Sequence, residues 1–218
     1  MIEIRDLEKI YPNGTTALTK INLTIEKGEF VYVVGESGAG KTTLLKILHG
    51  EECSTTGYIK YLGKDIRNIP SHTLKRKISF SYQDFMLIED RTVFENITLP
   101  LQFIGESLRS LASKSFTILE AMKLKDKMYK LVKELSGGEK QRISIARAII
   151  ANPEVILLDE PFGNLDKETA GKMMPYIEAL NEKGTTIIMA THHMLEENST
   201  PKRIIKLKKG RIINKEYV

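Results

Sequence analysis

The chain has 218 residues, enough for one large domain or two small ones. Its hydrophobic content of 41% and charged content of 28% are typical of soluble globular proteins, and no apolar run approaches the roughly 18 residues needed to cross a bilayer. The single cysteine, Cys53, excludes an internal disulfide framework and fits a reducing cytosol. The charged, alternating N-terminus gives no reason to expect a signal peptide.

The net charge of +5 comes from 33 basic and 28 acidic residues, a mild excess. Basic residues are concentrated in two stretches, Lys123–Lys133 and Lys202–Arg211. Each stretch is either ordinary solvated surface or a contact with anionic lipid headgroups or nucleic acid. Aromatic residues are sparse in both stretches, which disfavours base stacking, so we expect no nucleic-acid partner.

The hydrophobic pattern and the turn signals predict elements in the following order. Five short strands come first, with a helix from Thr43 to Leu48 after the third strand: Ile2–Leu7, Leu18–Ile25, Phe30–Val34, Tyr58–Leu62 and Ile78–Tyr82. Helices are predicted next, over Ser107–Met122 and Gly137–Ala151. Then come a strand, a helix after Asp166, a second strand and a hairpin, with strands at Val155–Leu158, Thr185–Ala190, Arg203–Leu207 and Arg211–Glu216.

These elements predict an α/β core with a helical block inserted between about Gln83 and Arg147. Pro175 lies inside the helix expected after Asp166. Because proline removes a backbone hydrogen bond and clashes with the preceding turn, we expect it to kink or restart that helix.

The segment from Gly35 to Thr42 fits the pattern G-x-x-x-x-G-K-[ST], which binds nucleotide phosphates. It follows a predicted buried strand and opens a predicted helix, the context that such a loop requires. Glycines let its N–H groups point at anionic oxygens, and the helix start adds a positive dipole. Lys41 would reach the β- and γ-phosphates, and Thr42 would bind Mg²⁺. A plain glycine turn would not need the Lys-Thr pair, so we predict phosphate contacts from Gly35, Glu36, Ser37, Gly38, Ala39, Gly40, Lys41, Thr42 and Thr43.

Two adjacent acids, Asp159 and Glu160, follow the apolar run Val155–Leu158. A buried strand would deliver both carboxylates to its C-terminal edge, where open α/β sheets bind ligands. Asp159 would then hold Mg²⁺ through water, and Glu160 would polarise the attacking water. Taken alone, the pair could equally be acids at the start of a helix; the nearby phosphate loop favours the catalytic role.

A second glycine-rich segment, LSGGEKQR at 135–142, opens the helix predicted from Gly137. Ser136 can cap that helix, and the glycine pair lets backbone N–H groups approach a ligand closely. The segment is therefore either a second anion site or an ordinary capped helix.

Together these segments resemble the nucleotide-binding subunits of ABC (ATP-binding cassette) ATPases over nearly the whole chain. The resemblance rests on the phosphate loop, the signature LSGGEKQR, LLDEP at 157–161 and a D-loop at Gly163–Asp166, all in family order. It implies hydrolysis of ATP with Mg²⁺ by an α/β P-loop NTPase core that carries an inserted α-helical subdomain and an N-terminal antiparallel β subdomain. The implied single domain spans 1–218, with the core and β subdomain at about 1–82 and 148–218 and the helical subdomain at about 83–147.

The resemblance also implies roles for individual residues. Tyr11 would stack on adenine, and Gln83 would sense Mg²⁺ and the attacking water. Glu160 would be the general base, and His192 would contact the γ-phosphate. Two chains would sandwich two ATP molecules head to tail, with further nucleotide contacts from Ser136, Gly137, Gly138 and Asp166.

Three positions depart from the common family pattern. Glu139 stands where many members have Gln, although some close relatives carry Glu there. Glu36 places a negative charge inside the phosphate loop. Phe162 replaces the Thr that often follows the proline of LLDEP.

The segment QDFMLIEDRTVFENI at 83–97 resembles the FtsE subfamily of cell-division ATPases. This implies an FtsX-like integral membrane subunit as partner, a peripheral location on the cytoplasmic face of the inner (plasma) membrane, and control of cell-wall hydrolysis. The alternative is the ATPase of a lipoprotein-releasing or macrolide-export type transporter. Apolar side chains at 85–88 would either form part of the docking groove for the partner or pack in the helical block.

Other classes fit less well. Chromosome and DNA-repair ATPases of related fold place a long coiled coil between the phosphate loop and the signature, and no sustained heptads occur here. A translation-associated protein would carry two cassettes, whereas this chain has one. A catalytically dead binding module would be expected to lose Lys41, Glu160 or His192, and all three are present.

Overall fold

The computed structural model describes residues 1–192 and 202–217, with the side chains of 215–217 excluded. In chain order the elements are β1 (Ile2–Ile10), β2 (Thr16–Ile25), β3 (Phe30–Val34), α1 (Lys41–Leu48), β4 (Thr56–Tyr61), β5 (Lys64–Asp65), α2 (Ser71–Lys77), β6 (Ile78–Ser81), α3 (Val93–Gln102), α4 (Leu108–Ala121), α5 (Gly137–Ile149), β7 (Val155–Asp159), α6 (Lys167–Glu182), β8 (Thr186–Thr191), β9 (Arg203–Lys208) and β10 (Arg211–Tyr217). Short 3₁₀ turns lie at Ile66–Asn68, Lys125–Lys127 and Val132–Glu134.

The strands form two sheets. A four-stranded antiparallel sheet has the order β2-β1-β4-β5. A six-stranded sheet has the order β10-β9-β3-β8-β7-β6, in which β9, β3, β8, β7 and β6 run parallel and β10 pairs antiparallel with β9. The predicted mixed α/β fold with an antiparallel N-terminal sheet is therefore confirmed.

The larger sheet is covered on both faces, which explains the composition of its strands. β7 and β8 are buried at every position, as expected for parallel strands with no solvent-facing side. One apolar cluster joins the larger sheet to the antiparallel sheet, α1 and α2. A second cluster packs the opposite face against α3, α4, α5 and α6. The sheet edge at the ends of β3 and β7 stays open for a site.

The predicted helices over Ser107–Met122 and Gly137–Ala151 are confirmed as α4 and α5. α3 was not predicted. It begins at a capping box, in which the Thr92 hydroxyl accepts from the Glu95 N–H and the Glu95 carboxylate accepts from the Thr92 N–H. α3, α4 and α5 all lie between β6 and β7.

The expectation that Pro175 restarts its helix is wrong, because α6 is one helix from Lys167 to Glu182 with Pro175 inside it. The residue four positions earlier is Gly171, and both are exposed. The buried side chains of Met173, Met174 and Ile177 anchor the apolar face of α6 to the core on both sides of the proline, and this packing keeps the helix continuous.

Candidate functional site

A cleft of about 720 Å³ opens at the edge of the larger sheet. It is bounded by the β1–β2 turn, the loop between β3 and α1, and the segments that follow β6, β7 and β8. Its lining residues are Tyr11, Thr15, Thr16, Ala17, Glu36, Ser37, Gly38, Ala39, Gly40, Lys41, Thr42, Thr43, Gln83, Glu160, Gly163, Asn164 and His192. The structure thus brings together most of the residues that the sequence singled out.

The loop from Gly35 to Gly40 curls around the Lys41 side chain. The Lys41 ammonium donates to the backbone oxygens of Gly35 (2.6 Å) and Glu36 (3.3 Å), and the residue is buried. Gly40 has φ 103°, and a Cβ there would lie 2.5 Å from the Ala17 oxygen, so the position requires glycine. The loop is therefore held open around a buried cation at the start of α1.

The β9–β10 hairpin supports this loop from behind. The Gly210 N–H donates to the Ala39 oxygen (3.1 Å), and the Gly210 oxygen accepts from the Thr19 N–H (2.8 Å). Gly35 packs so closely on β9 that a Cβ would lie 2.4 Å from the Leu207 oxygen. Gly35 itself is half-buried behind the cleft and does not line it.

Asp159 lies at the end of β7, next to Thr42, and is buried. Burial raises the pKa of its carboxyl and repulsion from Glu160 adds to the rise, whereas a hydrogen bond with Thr42 and the charge of Lys41 oppose it. One carboxylate oxygen, Oδ1, has no hydrogen-bond partner among the described residues. A hydroxyl beside a carboxylate with an unused oxygen is a donor set that fits Mg²⁺.

Glu160 points into the cleft beside Lys41 and His192. Its Oε2 lies 2.8 Å from Nδ1 of His192 and accepts from the His192 N–H at 3.3 Å, while its Oε1 lies 3.5 Å from Nζ of Lys41. The backbone is left-handed at Glu160 (φ 46°), and its N–H donates to the Ala190 oxygen at 2.9 Å. Such strain persists only where the surroundings fix it, and here β8 does so.

Gln83 enters the cleft from the loop after β6, and the loop is held by α5. Phe85 and Met86 are both left-handed, with φ 59° and 49°. The Arg147 guanidinium donates to the oxygens of Phe85 (2.8 Å) and Met86 (2.7 Å), and the Ser144 hydroxyl donates to the Phe85 oxygen (3.2 Å). α5 therefore fixes the turn that follows Gln83.

Tyr11 forms one wall of the cleft. Its hydroxyl lies 3.3 Å from the Thr43 hydroxyl, and the ammonium of Lys9 lies 4.8 Å from its ring centroid. Lys9 is in turn held by Glu52 (2.8 Å) and by the Cys53 oxygen (2.9 Å). An aromatic ring fixed at its edge and backed by a cation can stack on a planar base.

Comparison with known proteins identifies the family. Residues 18–163 match the ABC transporter family. The chain belongs to the ABC transporter ATP-binding family. It is 44% identical to the cell division ATP-binding protein FtsE of Bacillus subtilis over 99% of this chain and 96% of that protein. It is 40% identical to FtsE of Streptococcus pneumoniae serotype 2, over 99% of this chain and 95% of that protein.

A solved structure supports the same family assignment. The dimeric, post-hydrolysis state of the ATP-binding cassette MJ0796 bound to ADP and Pi matches with a TM-score of 0.90 and 33% identity, over 99% of this chain and 98% of that chain. The protein is thus an ABC-type ATPase with FtsE proteins among its relatives.

In this ABC ATPase, four of the predicted residues that do not line the cleft lie at the starts of two helices. Ser136 caps α5, and Asp166 caps α6 by accepting from the Thr169 N–H (2.8 Å) and hydroxyl (2.7 Å). A Cβ at Gly138 would lie 3.1 Å from the Leu165 side chain, so the signature and D-loop segments adjoin. None of Ser136, Gly137, Gly138 and Asp166 lines the cleft of the same chain.

Five cleft residues were given no role from the sequence, although two of them, Gly163 and Asn164, belong to the D-loop that the resemblance identified. Thr15, Thr16 and Ala17 line the cleft opposite the phosphate loop, and so do Gly163 and Asn164. The signal for the first three was their position directly after the Pro12-Asn13-Gly14 turn. Because that turn returns β2 along β1, the residues that follow Tyr11 are carried back beside it.

Proposed function

We propose that the chain hydrolyses ATP with Mg²⁺ as one half of an ATP-sandwich homodimer, and that the cycle drives an FtsX-like integral membrane subunit that controls cell-wall hydrolysis in cell division. The observation that carries the chemical part is the convergence of Glu160, Lys41 and His192 beside the Thr42–Asp159 pair. Family membership and the FtsE relatives support the rest.

Binding begins at the loop around Lys41. Backbone N–H groups of Gly35–Gly40 and the start of α1 supply a positive rim for the phosphates. The Lys41 ammonium, which donates to the Gly35 oxygen in this structure, would instead bind the β- and γ-phosphates. Tyr11 would stack on the adenine at the other end of the cleft.

Hydrolysis requires a positioned water and a proton acceptor. Glu160 is the group to take that proton, because its carboxylate faces the cleft and is ordered by contacts with His192 and Lys41. His192 and Gln83 would orient the γ-phosphate and the water. Thr42, Asp159 and Gln83 would hold Mg²⁺, which when bound neutralises charge on the transferred phosphoryl group.

Dimerisation accounts for the residues that lie outside the cleft. The start of α5 (Ser136, Gly137 and Gly138) and Asp166 at the start of α6 would meet the nucleotide held by the second chain. A helix N-terminus with a capping serine and a glycine pair suits a γ-phosphate. The dimeric form of the matching ATP-binding cassette supports this arrangement.

A membrane partner would place the ATPase at the cytoplasmic face of the inner membrane. Among the described residues, no helix is long and apolar enough to cross a membrane. The loop that follows Gln83 exposes Met86 and Ile88, with relative exposures of 62% and 42%, on the side held by α5. We propose this loop as part of the docking groove for the partner.

The chemical proposal is tested with Glu160→Gln. We expect the turnover rate to fall at least about 100-fold, the usual scale for losing a general base, while ATP binding persists and a dimer accumulates in ATP. Glu182→Gln at the exposed end of α6 is the matched control and should keep full turnover. Unchanged turnover in Glu160→Gln would refute the assignment of the base.

The partner is tested separately by purifying the native membrane complex and identifying the co-purifying protein. An FtsX-like membrane protein supports the cell-division role. A lipoprotein- or drug-export permease would replace that role and leave the ATP chemistry intact. Met86→Glu should abolish co-purification while soluble ATPase activity persists; retained co-purification would place the groove elsewhere.

A further inference from the structure

We propose that Lys127 is a positioning residue for the signature segment, and that it cancels the charge of Glu139 so that the start of α5 can accept a phosphate from the second chain. This inference rests on the proposed sandwich dimer and names a residue outside the phosphate loop, the signature LSGGEKQR, LLDEP and the D-loop. Lys127 ends the 3₁₀ turn Lys125–Lys127 that follows α4.

Lys127, Glu139 and Ser136 are joined by direct hydrogen bonds. Oε2 of Glu139 accepts from the Ser136 N–H at 2.8 Å, and the Ser136 hydroxyl accepts from the Glu139 N–H at 3.4 Å. Oε1 of Glu139 accepts from the Lys127 ammonium. The Glu139 side chain is 13% exposed and that of Lys127 is 27% exposed, so water screens the pair only in part.

A carboxylate at this position creates an electrostatic conflict. It completes the capping box of α5, as either Glu or Gln can at this position. Unlike Gln, however, Glu adds a negative charge within the first helical turn, where a phosphate is expected to bind. Lys127 resolves the conflict, because an ammonium on the second carboxylate oxygen restores local neutrality.

Neighbouring cations are engaged elsewhere. Lys125 pairs with Glu120 at 3.3 Å, Lys140 pairs with Glu89 at 2.8 Å, and Arg142 donates to the Met122 oxygen at 3.2 Å. Among the described residues, Lys127 is the cation in contact with Glu139.

The protonation state of Glu139 agrees with this arrangement. Burial alone would raise the pKa of its carboxyl, but the Lys127 ammonium and the two contacts with Ser136 outweigh it and lower the pKa to about 2. The carboxylate therefore stays charged at neutral pH, where the Lys127 ammonium is its counter-ion.

The test is a two-by-two cycle of Lys127→Met in the parent and in the Glu139→Gln background, with Lys125→Met as the matched lysine control. Dimerisation in ATP is followed by light scattering, with every chain carrying Glu160→Gln to stop turnover, and ATP affinity of the dilute monomer is followed by fluorescence. We expect Lys127→Met to weaken dimerisation about tenfold in the parent and less than twofold in the Glu139→Gln background. Lys127→Arg should restore dimerisation.

Three results would overturn the role proposed for Lys127. Equal losses in both backgrounds would mean that Lys127 acts through folding alone and would overturn the proposal. A matching loss of monomer ATP affinity would also overturn it, because the start of α5 lies outside the cleft of its own chain. A parent that stays monomeric in ATP, with Lys125→Met indistinguishable from it, would overturn the sandwich dimer and this inference with it.

Discussion

Replacing Arg147 by Gln should reveal how firmly α5 holds the loop that carries Gln83. The guanidinium donates 2.7 and 2.8 Å hydrogen bonds to two carbonyls in a left-handed stretch, at Met86 and Phe85. Each hydrogen bond from a charged donor contributes about 1.5–3 kcal/mol, and two left-handed non-glycine residues cost about 1–2 kcal/mol each. Burial lowers the pKa of Arg147 and Tyr82 opposes the shift, but the group remains charged at neutral pH.

The net loss should be smaller than the sum of these terms. The Ser144 hydroxyl keeps its 3.2 Å contact with the Phe85 oxygen, and water can reach the exposed Met86. We therefore expect Arg147→Gln to lower the free energy of unfolding by about 3 kcal/mol, which for a chain of this size lowers Tm by about 6–12 °C. ATPase turnover should fall as well, since Gln83 loses its anchored neighbours.

Urea unfolding followed by circular dichroism measures the stability change, and a coupled phosphate assay measures turnover. Arg109→Gln, on the exposed side of α4, is the matched control and should change stability by less than about 0.5 kcal/mol. Arg147→Lys keeps the charge without the forked geometry and should fall between the two. A loss below about 1 kcal/mol in Arg147→Gln would refute the view that these hydrogen bonds hold the loop.

Three further predictions follow from other elements. Pro175→Ala, at an exposed site inside α6, should raise the free energy of unfolding by about 1–2 kcal/mol in thermal melts, and a lower Tm would mean that the proline fits its helix. Gly210→Ala, whose Cβ would lie 2.7 Å from the Ala17 oxygen, should destabilise the chain by about 2 kcal/mol or more and weaken ATP binding measured by fluorescence, whereas Gly171→Ala on open helix surface should not. The pKa of the Glu139 carboxyl falls from 4.5 to about 2 on folding, so the stabilisation that its charged form contributes is complete above pH 4.5 and disappears towards pH 2. Glu139→Gln should therefore make the free energy of unfolding less dependent on pH between 4.5 and 2. An unchanged pH dependence in this range would count against the Lys127 contact.

The sequence predicted the larger elements well because their signals are local and strong. The apolar runs of β3 and β7 and the helical periodicity of α4 each appear within one short window. The phosphate loop and strand-end acids were found for the same reason, since G-x-x-x-x-G-K-[ST] and LLDE are contiguous. The structure then shows Lys41, Glu160 and His192 within reach of one another, and the roles given to them stay a prediction.

What the sequence missed depends on tertiary contacts. α2 spans seven mostly polar residues, and α3 contains Pro100, so neither has a strong helical pattern, although the Thr92–Glu95 capping box marked the start of α3. The left-handed backbone at Glu160 and Phe85 is imposed by β8 and by Arg147, far away in sequence. The Lys127–Glu139 pair joins a turn to a helix start and has no local signal.

α5 has a consequence for how two nucleotides communicate. One end of this 13-residue helix carries Ser136, and near the other end Ser144 and Arg147 bind the turn behind Gln83. A helix of that length is a rod of about 20 Å that transmits displacement with little bending. In the proposed sandwich, any movement of the Gln83 loop in one cleft would shift the surface offered to the other chain's ATP. The dimer would then close fully only when ATP occupies both clefts at the same time.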